Sequence, residues 1–226
     1  MEKIAVISGA GISAESGLRT FRDGDGLWRQ YSFYDLATPE AWARHPEVVL
    51  DFYNERRRLV QAAQPNAAHR ALARLEQKFE VVIVTQNVDD LHERAGSKRI
   101  IHLHGELAKV RSSSNPALVY DAGGKPTRMG DLCEQGSQLR PHIVWFGEVV
   151  MDFDTAIEEV SSADRVLVVG TSLSVYPAAS LLGYARSGCE KILVTKEVER
   201  APADFQWLKG NAAELVPRVV DGWLSQ

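Results

Sequence analysis

Cysteine is scarce: Cys133 and Cys189 are the only two in 226 residues, which excludes a disulfide framework. Long apolar runs are also missing, and none approaches the roughly 18 residues that a membrane helix needs. No block of one charge sign stands out, and the net charge of −4 gives neither a nucleic-acid footprint nor a polybasic membrane patch. An apolar strand begins within a few residues of Met1, leaving no room for a secretory leader. The expectation is a cytoplasmic protein without nucleic-acid or membrane partners. Oligomeric state is not readable from the sequence.

What is present is ordinary globular composition, 45% hydrophobic and 25% charged, and a length sufficient for one sizeable core with a small inserted module. Short β-branched runs alternate with helical patterns. Lys3–Ser8, Val81–Thr85, Ile143–Trp145, Arg165–Val169 and Lys191–Thr195 read as buried strands. Pro46–Ala63, Ala67–Lys78, Asp154–Ser162 and Pro177–Ser187 read as helices. This alternation predicts an α/β fold on a parallel sheet. Two intervals break it: Leu18 to about Ala63 has no convincing second strand, and Glu106 to Arg140 is polar and rich in Ser, Gly, Pro and Asn. A tract of that length inside a compact domain suggests a functional insertion. The expected plan is one domain over 1–226. Its Rossmann-like core covers about 1–30, 64–105 and 141–226, and its small module about 31–63 and 106–140.

Directly after the first strand comes Ser8-Gly9-Ala10-Gly11-Ile12-Ser13-Ala14-Glu15-Ser16-Gly17. Glycines there allow a tight turn and close approach of a pyrophosphate to main-chain N–H groups at a helix start. A ligand-free strand-to-helix turn would use them too. A dehydrogenase would continue with a helix, a second strand and an acid about 20 positions on. This chain instead runs into Arg19-Thr20-Phe21-Arg22-Asp23-Gly24-Asp25-Gly26-Leu27-Trp28, which suits a cover over a bound cofactor.

The segment GAGISAESGLRTFRDGDGLW resembles the opening motif of the sirtuins. TQNVDDLHERAG (Thr85–Gly96), HLHGEL (His102–Leu107), RPHIVWFGE (Arg140–Glu148) and GTSLSVYPAA (Gly170–Ala179) follow in the family's order and cover nearly the whole chain. Leu18 and Arg19 stand where many sirtuins have Ile-Pro, a departure compatible with the acyl-selective bacterial branch. The resemblance implies a Rossmann-like enzyme that consumes NAD as co-substrate. It would remove acyl groups from lysine in protein substrates, releasing nicotinamide and O-acyl-ADP-ribose. NAD would be bound by Gly9, Ala10, Gly11, Ser13, Phe21, Arg22, Trp28, Gln86, Asn87, Asp89, Gly170, Thr171, Ser172, Glu197 and Ala212.

The residues also argue for themselves. Gln86, Asn87 and Asp89 follow a buried strand at the end where α/β sheets bind ligands, and an amide with a carboxylate can hold the carboxamide of nicotinamide. Asn87 and Asp89 could equally cap the helix that begins near Asp90. A histidine suits general-base work near neutral pH. An isolated His is more often a structural residue, and His45, His69, His92, His102 and His142 have no better individual claim than His104; its place in the HG dipeptide, which matches the sirtuin catalytic motif, singles it out. Gln86, Asn87 and His104 are thus the expected catalytic group.

By the same resemblance, Val144-Trp145-Phe146-Gly147-Glu148 would pair with an extended substrate peptide, although a core strand ending in a turn explains Val144 and Trp145 equally well. Tyr53 and Arg56 are three apart, so they share a helix face, and a phenol with a guanidinium can hold a carboxylate. They resemble the Tyr-x-x-Arg pair of sirtuins that accept succinyl- or malonyl-lysine; the spacing alone also suits a half-buried Tyr beside a solvated Arg. Two departures stand out. Sirtuins commonly hold a structural zinc with four cysteines, whereas Glu106 to Arg140 contains only Cys133 and no His, and Arg111-Ser112-Ser113-Ser114 replaces the first pair. No metal is expected. Thr195-Lys196-Glu197 replaces a segment that carries an Asn near the adenosine ribose, leaving Glu197 as the candidate. A nicotinamide dehydrogenase and a turnover-deficient NAD or ADP-ribose sensor are the rival readings.

Overall fold

The computed structural model describes residues 1–18 and 33–226. Phe21, Arg22 and Trp28, expected against the cofactor, lie outside the described residues. Six strands form a parallel sheet: β1 (Lys3–Ser8), β2 (Glu80–Thr85), β3 (Ile100–His102), β7 (Arg165–Val169), β8 (Glu190–Thr195) and β9 (Gln206–Lys209). Their spatial order is β3-β2-β1-β7-β8-β9, so the direction of winding reverses around β1 and β7. Ligand sites of open α/β sheets lie at the carboxyl ends of strands flanking such a reversal.

Alternation along a strand sends neighbouring side chains to opposite faces. Ile4 and Val6 pack with Leu72 of α4 (Ala67–Leu75) and with Val216 and Trp223 of α7 (Ala212–Leu224). Ala5 and Ile7 pack with Val160 of α6 (Phe153–Ser162) and with Leu181 of a 3-10 helix over Ala178–Tyr184. Both faces are covered, which is why these strands read as continuous apolar runs.

Three helices follow the undescribed stretch: α1 (Phe33–Leu36), α2 (Pro39–Arg44) and α3 (Pro46–Ala62). Thr38 caps α2, accepting from Ala41 N at 3.1 Å. On α3, Val49, Phe52, Tyr53 and Val60 form one apolar stripe that packs on Leu107, Ile143 and Trp145. The latter three belong to or adjoin a small antiparallel sheet of β4 (Gly105–Ser112), β5 (Val119–Asp121) and β6 (Leu139–Ile143), ordered β5-β4-β6. Between β2 and β3 lies α5 (Leu91–Ala95).

Four sequence expectations change. The strand expected at Ile143–Trp145 belongs to the small antiparallel sheet and ends at Ile143, because Glu148 rather than a ladder partner accepts from Trp145 N, at 2.8 Å. The helix expected over Pro177–Ser187 is 3-10. The glycine-rich turn opens into two three-residue 3-10 segments, Ala10–Ile12 and Ala14–Ser16, not an α-helix. The polar interval after Glu106 contains most of a three-stranded sheet.

Candidate active site

Parallel register places Ser8 beside both Thr85 and Val169, so the loops leaving β1, β2 and β7 emerge side by side. The glycines let them touch. Gly9 N donates to Val169 O at 3.0 Å and Gly11 N to Gly170 O at 2.7 Å. A Cβ on Gly11 would meet Gly170 O at 2.7 Å, and one on Gly170, whose φ is +63°, would meet Ile12 N at 2.2 Å. Main chain therefore packs on main chain, and the glycines have a structural duty before any phosphate is considered. Thr171 is buried and accepts from Gln86 Nε2 at 3.3 Å; Ser172 and Ser174 hydroxyls lie 2.8 Å apart beyond it.

Ser13 is the hub beneath this junction. Its hydroxyl donates to Asp89 Oδ2 at 3.0 Å and accepts from Asn87 Nδ2 at 3.2 Å. Asp89 Oδ1 accepts from Leu91 N at 3.2 Å, so Asp89 both ties the start of α5 to the loop and fixes the hub. Asn87 N donates to Thr85 Oγ1 at 3.0 Å. With Nδ2 bound to Ser13, the Oδ1 atom of Asn87 remains as acceptor for an incoming amide. Burial raises the Asp89 pKa against the hydrogen bonds from Leu91 and Ser13.

His104 stands at the turn between β3 and β4. Its Nδ1 lies 3.0 Å from the Gln86 carbonyl, which can only accept, so Nδ1 carries the proton and Nε2 keeps its lone pair. Burial lowers its pKa below the ordinary value, against the Gln86 bond, and the imidazole is neutral near pH 7. A neutral imidazole with a fixed tautomer can take a proton from a hydroxyl. Val144 N donates to His104 O at 2.9 Å, joining His104 to the segment that follows β6.

Above the loops, Trp145 Nε1 donates to Tyr53 OH at 3.1 Å. An indole N–H only donates, so the phenol accepts from it and retains its own hydrogen for another acceptor. Burial pushes the Tyr53 pKa up to about 12, partly opposed by Arg56. Half-buried Arg56 lies on the same face, its guanidinium carbon 5.7 Å from the Phe52 ring centroid, and Tyr53 and Asp89 stabilise its charge against burial.

The sequence matches the Sir2 family over residues 9–177. The chain belongs to the Sir2 family. It is 48% identical over 227 residues to an NAD-dependent protein deacylase of Helicobacter pylori strain 26695, covering 98% of this chain and 99% of that protein. It is 51% identical over 199 residues to an NAD-dependent protein deacylase of Bacteroides thetaiotaomicron, covering 86% and 85%. A Sir2 homologue mutant in complex with ADP-ribose superposes with a TM-score of 0.88 at 42% identity, covering 99% of this chain and 93% of that one. A Sir2 homologue–NAD complex also gives 0.88, at 41% identity, covering 99% and 90%.

The remaining expected positions of this Sir2 chain each have well-defined surroundings. The Glu148 carboxylate, expected beside the substrate, accepts from Arg140 Nη1 at 2.7 Å and Arg111 Nη2 at 3.0 Å, and the Arg140 guanidinium stacks 3.3 Å from the Trp145 ring centroid. Glu148 thus holds the turn, while Phe146 and Val149 are exposed along it. Phe146 N donates to Ala37 O at 2.9 Å, and Gly147 adopts φ +93°. Glu197 is exposed beside Trp207 and Lys209, around a cavity of about 390 Å³. Ala212 turns its methyl into the core, so any ligand contact there uses its main chain.

Two further histidines lie beneath the site. His69, fully buried, accepts from Asn66 N through Nδ1 (3.4 Å) and so donates from Nε2 to Ser13 (3.4 Å). His92, also fully buried, reaches Ser8 Oγ at 2.9 Å; Ser8 in turn donates to Thr85 Oγ1 at 2.8 Å. Helical spacing on α4 and α5 marks both as inward-facing, but only the folded loops show what they touch. In the small module, the Cys133 thiol hydrogen-bonds to Ser112 and Ser137, and Ser114 lies 2.5 Å from Ser137. One thiol among hydroxyls does not fit a tetrahedral zinc, which takes four Cys or His ligands.

Proposed function

We propose that this Sir2 protein is an NAD-dependent protein-lysine deacylase acting on acetyl-lysine and on the acidic acyls succinyl- and malonyl-lysine. It would release nicotinamide and O-acyl-ADP-ribose. The carrying observation is the hydrogen-bond arrangement at His104: Nδ1 bound to the Gln86 carbonyl leaves Nε2 as the base beside a loop built from Gln86, Asn87 and Asp89. NAD as co-substrate supplies a ribose carbon from which nicotinamide leaves and to whose sugar the acyl group passes. Asn87, pinned by Ser13 and Thr85, orients the nicotinamide carboxamide, with Asp89 holding Ser13 in place. Gly9, Ala10, Gly11, Gly170, Thr171 and Ser172 form the backbone-rich floor for phosphate and ribose, with Glu197 and the main chain of Ala212 towards adenosine. His104 Nε2 takes the proton of a ribose hydroxyl during acyl transfer.

The acidic-acyl reading rests on Tyr53 and Arg56. The Tyr53 hydroxyl accepts from Trp145 and so keeps its hydrogen for an incoming carboxylate, and Arg56 adds a guanidinium on the same face. Val144–Glu148 would present an edge for an extended substrate peptide, held in shape by Arg111, Arg140 and Glu148. No structural zinc is assigned; the small module stands on its hydrogen bonds. We read the chain as one catalytic domain, working in the cytoplasm. Among the described residues no helix is long and apolar enough to cross a membrane.

The test measures nicotinamide release from NAD with acetyl- and succinyl-lysine peptides. Wild type is expected to cleave NAD with both. Arg56→Met and Tyr53→Phe should lower kcat/KM for the succinyl peptide about 10- to 100-fold while sparing the acetyl peptide, the scale of a charge-assisted hydrogen bond. No nicotinamide with any acyl peptide would overturn the deacylase reading. Full succinyl activity in both variants would overturn the acidic-acyl reading alone.

A further inference from the structure

His102 and His104 flank Leu103 where the chain passes from β3 to β4, and both turn Nδ1 towards the same loop. His104 Nδ1 lies 3.0 Å from Gln86 O, and His102 Nδ1 lies 3.3 Å from Asn87 O, the next carbonyl along. They differ at the other nitrogen. His104 Nε2 makes no hydrogen bond among the described residues, whereas His102 Nε2 lies 2.6 Å from Glu93 Oε1. A peptide carbonyl and a carboxylate both only accept. A neutral imidazole has a single N–H, so one of the two contacts would set lone pair against lone pair. Only an imidazolium donates to both.

The surroundings suit that charge. Glu93 reaches His102 from α5 and Glu106 from β4, with Lys109 bound to Glu106 at 2.7 Å. Asp89 adds negative charge from the loop, and neutral His92 lies beneath on α5. Burial opposes the charge on His102, but the hydrogen bond and charge of Glu93, with Glu106 behind, outweigh it and raise its pKa. Glu93 is held in its ionised form by the same partner, against its own burial.

We propose that His102 is a positioning residue, an imidazolium strut braced by Glu93 that fixes the Asn87 carbonyl and so the loop that His104 also grips. The inference rests on the roles given above to Asn87 and His104. It divides the pH dependence between twin histidines. Activity rises as His104 loses its proton, on the acid side, and falls as His102 loses its own, on the alkaline side, when one of the strut's two bonds must open.

Three variants of the full chain test it, with kcat/KM for NAD followed against pH. Glu93 is part-exposed, so Glu93→Gln should fold normally and move the alkaline limb down by about one pH unit or more, leaving the acid limb in place. His102→Asn keeps a donor near the Nδ1 position without a titrating proton; it should retain most activity near the optimum and lose the alkaline fall. His102→Leu should lower kcat/KM about 10-fold or more at every pH, with thermal melting confirming the fold. Independently, nitrogen-15 spectra of the histidine rings should show both His102 nitrogens protonated at pH 7. A neutral His102 at pH 7, or superimposable profiles for wild type and Glu93→Gln, overturns the strut. Asn87→Ala and His104→Ala separate the premises: if either keeps full NAD cleavage, the site reading fails. If both lose it while the Glu93 and His102 variants match wild type, only the strut fails.

Discussion

The strand-end loops and the small antiparallel sheet are built by different means. In the loops, main chain packs on main chain through Gly9, Gly11 and Gly170, over buried hydroxyls of Ser8, Ser13 and Thr85. The small sheet instead hangs from guanidiniums. Buried Arg57 donates to Leu107 O at 2.6 Å and Lys125 O at 2.8 Å, and Arg111 and Arg140 both reach Ile143 O and Glu148. Main-chain packing leaves no room for a methyl group. Guanidiniums with several partners each give a module that can lose one contact and stand.

The largest effect should come from closing the gap at the glycines. Gly170→Ala forces a side chain into a left-handed conformation with its Cβ 2.2 Å from Ile12 N. We expect about 3 kcal/mol of destabilisation in urea unfolding and at least a 100-fold loss of NAD cleavage. Gly183→Ala, where no atom lies within 4 Å of the added carbon, should stay within about 0.5 kcal/mol of wild type. Similar behaviour of the two would remove the distinction on which the comparison rests.

Next is Arg57→Leu, which leaves the Leu107 and Lys125 carbonyls without their buried donor. The cost should be about 2–4 kcal/mol, and hydrogen exchange should quicken in β4 and β5 more than in β1. Uniform quickening across both sheets would mean that the small module is not a separately anchored unit.

Acid should loosen the loop side through His69. Burial, then the charge of Arg70, pushes its pKa down to about 4, whereas an unfolded imidazole takes its proton near 6.5. The unfolded chain therefore binds more protons in that window. The contribution of His69 is complete above pH 6.5 and disappears as the pH falls to about 4, roughly 3 kcal/mol in all. His69→Gln should flatten that part of the stability profile, and an unchanged slope would place the acid sensitivity elsewhere.

Much of this was legible in the sequence, for physical reasons. Strands buried on both faces leave apolar runs, so β1, β2, β7 and β8 stand out, while β3 and β9 at the sheet edges, only 3 and 4 residues long, leave too short a pattern to read. Helix α7 repeats Ala212, Val216, Val220 and Trp223 at helical spacing, yet Pro217 inside it obscured the signal. At the site, residue type and motif singled out Asn87, Asp89 and His104. They could not show that Glu148 faces two arginines or that His102 bridges Glu93 to Asn87, since those pairings depend on how the loops and turns fold against one another.

The smallest effect is the one that separates the two regions most sharply. If a metal held the small module, Cys133 would be an indispensable ligand, and its removal with chelation would unfold that sheet. In the arrangement seen here the thiol is one member of a hydroxyl cluster with Ser112 and Ser137, while the load falls on Arg57, Arg111 and Arg140. Cys133→Ser keeps a donor and acceptor of nearly the same size, so it should cost less than about 1 kcal/mol. Prolonged chelation should leave the melting temperature of wild type and variant unchanged, with no stoichiometric zinc in the purified protein. A large drop on chelation would return the small module to the metal, and Arg57→Leu would then be expected to matter less than Cys133→Ser.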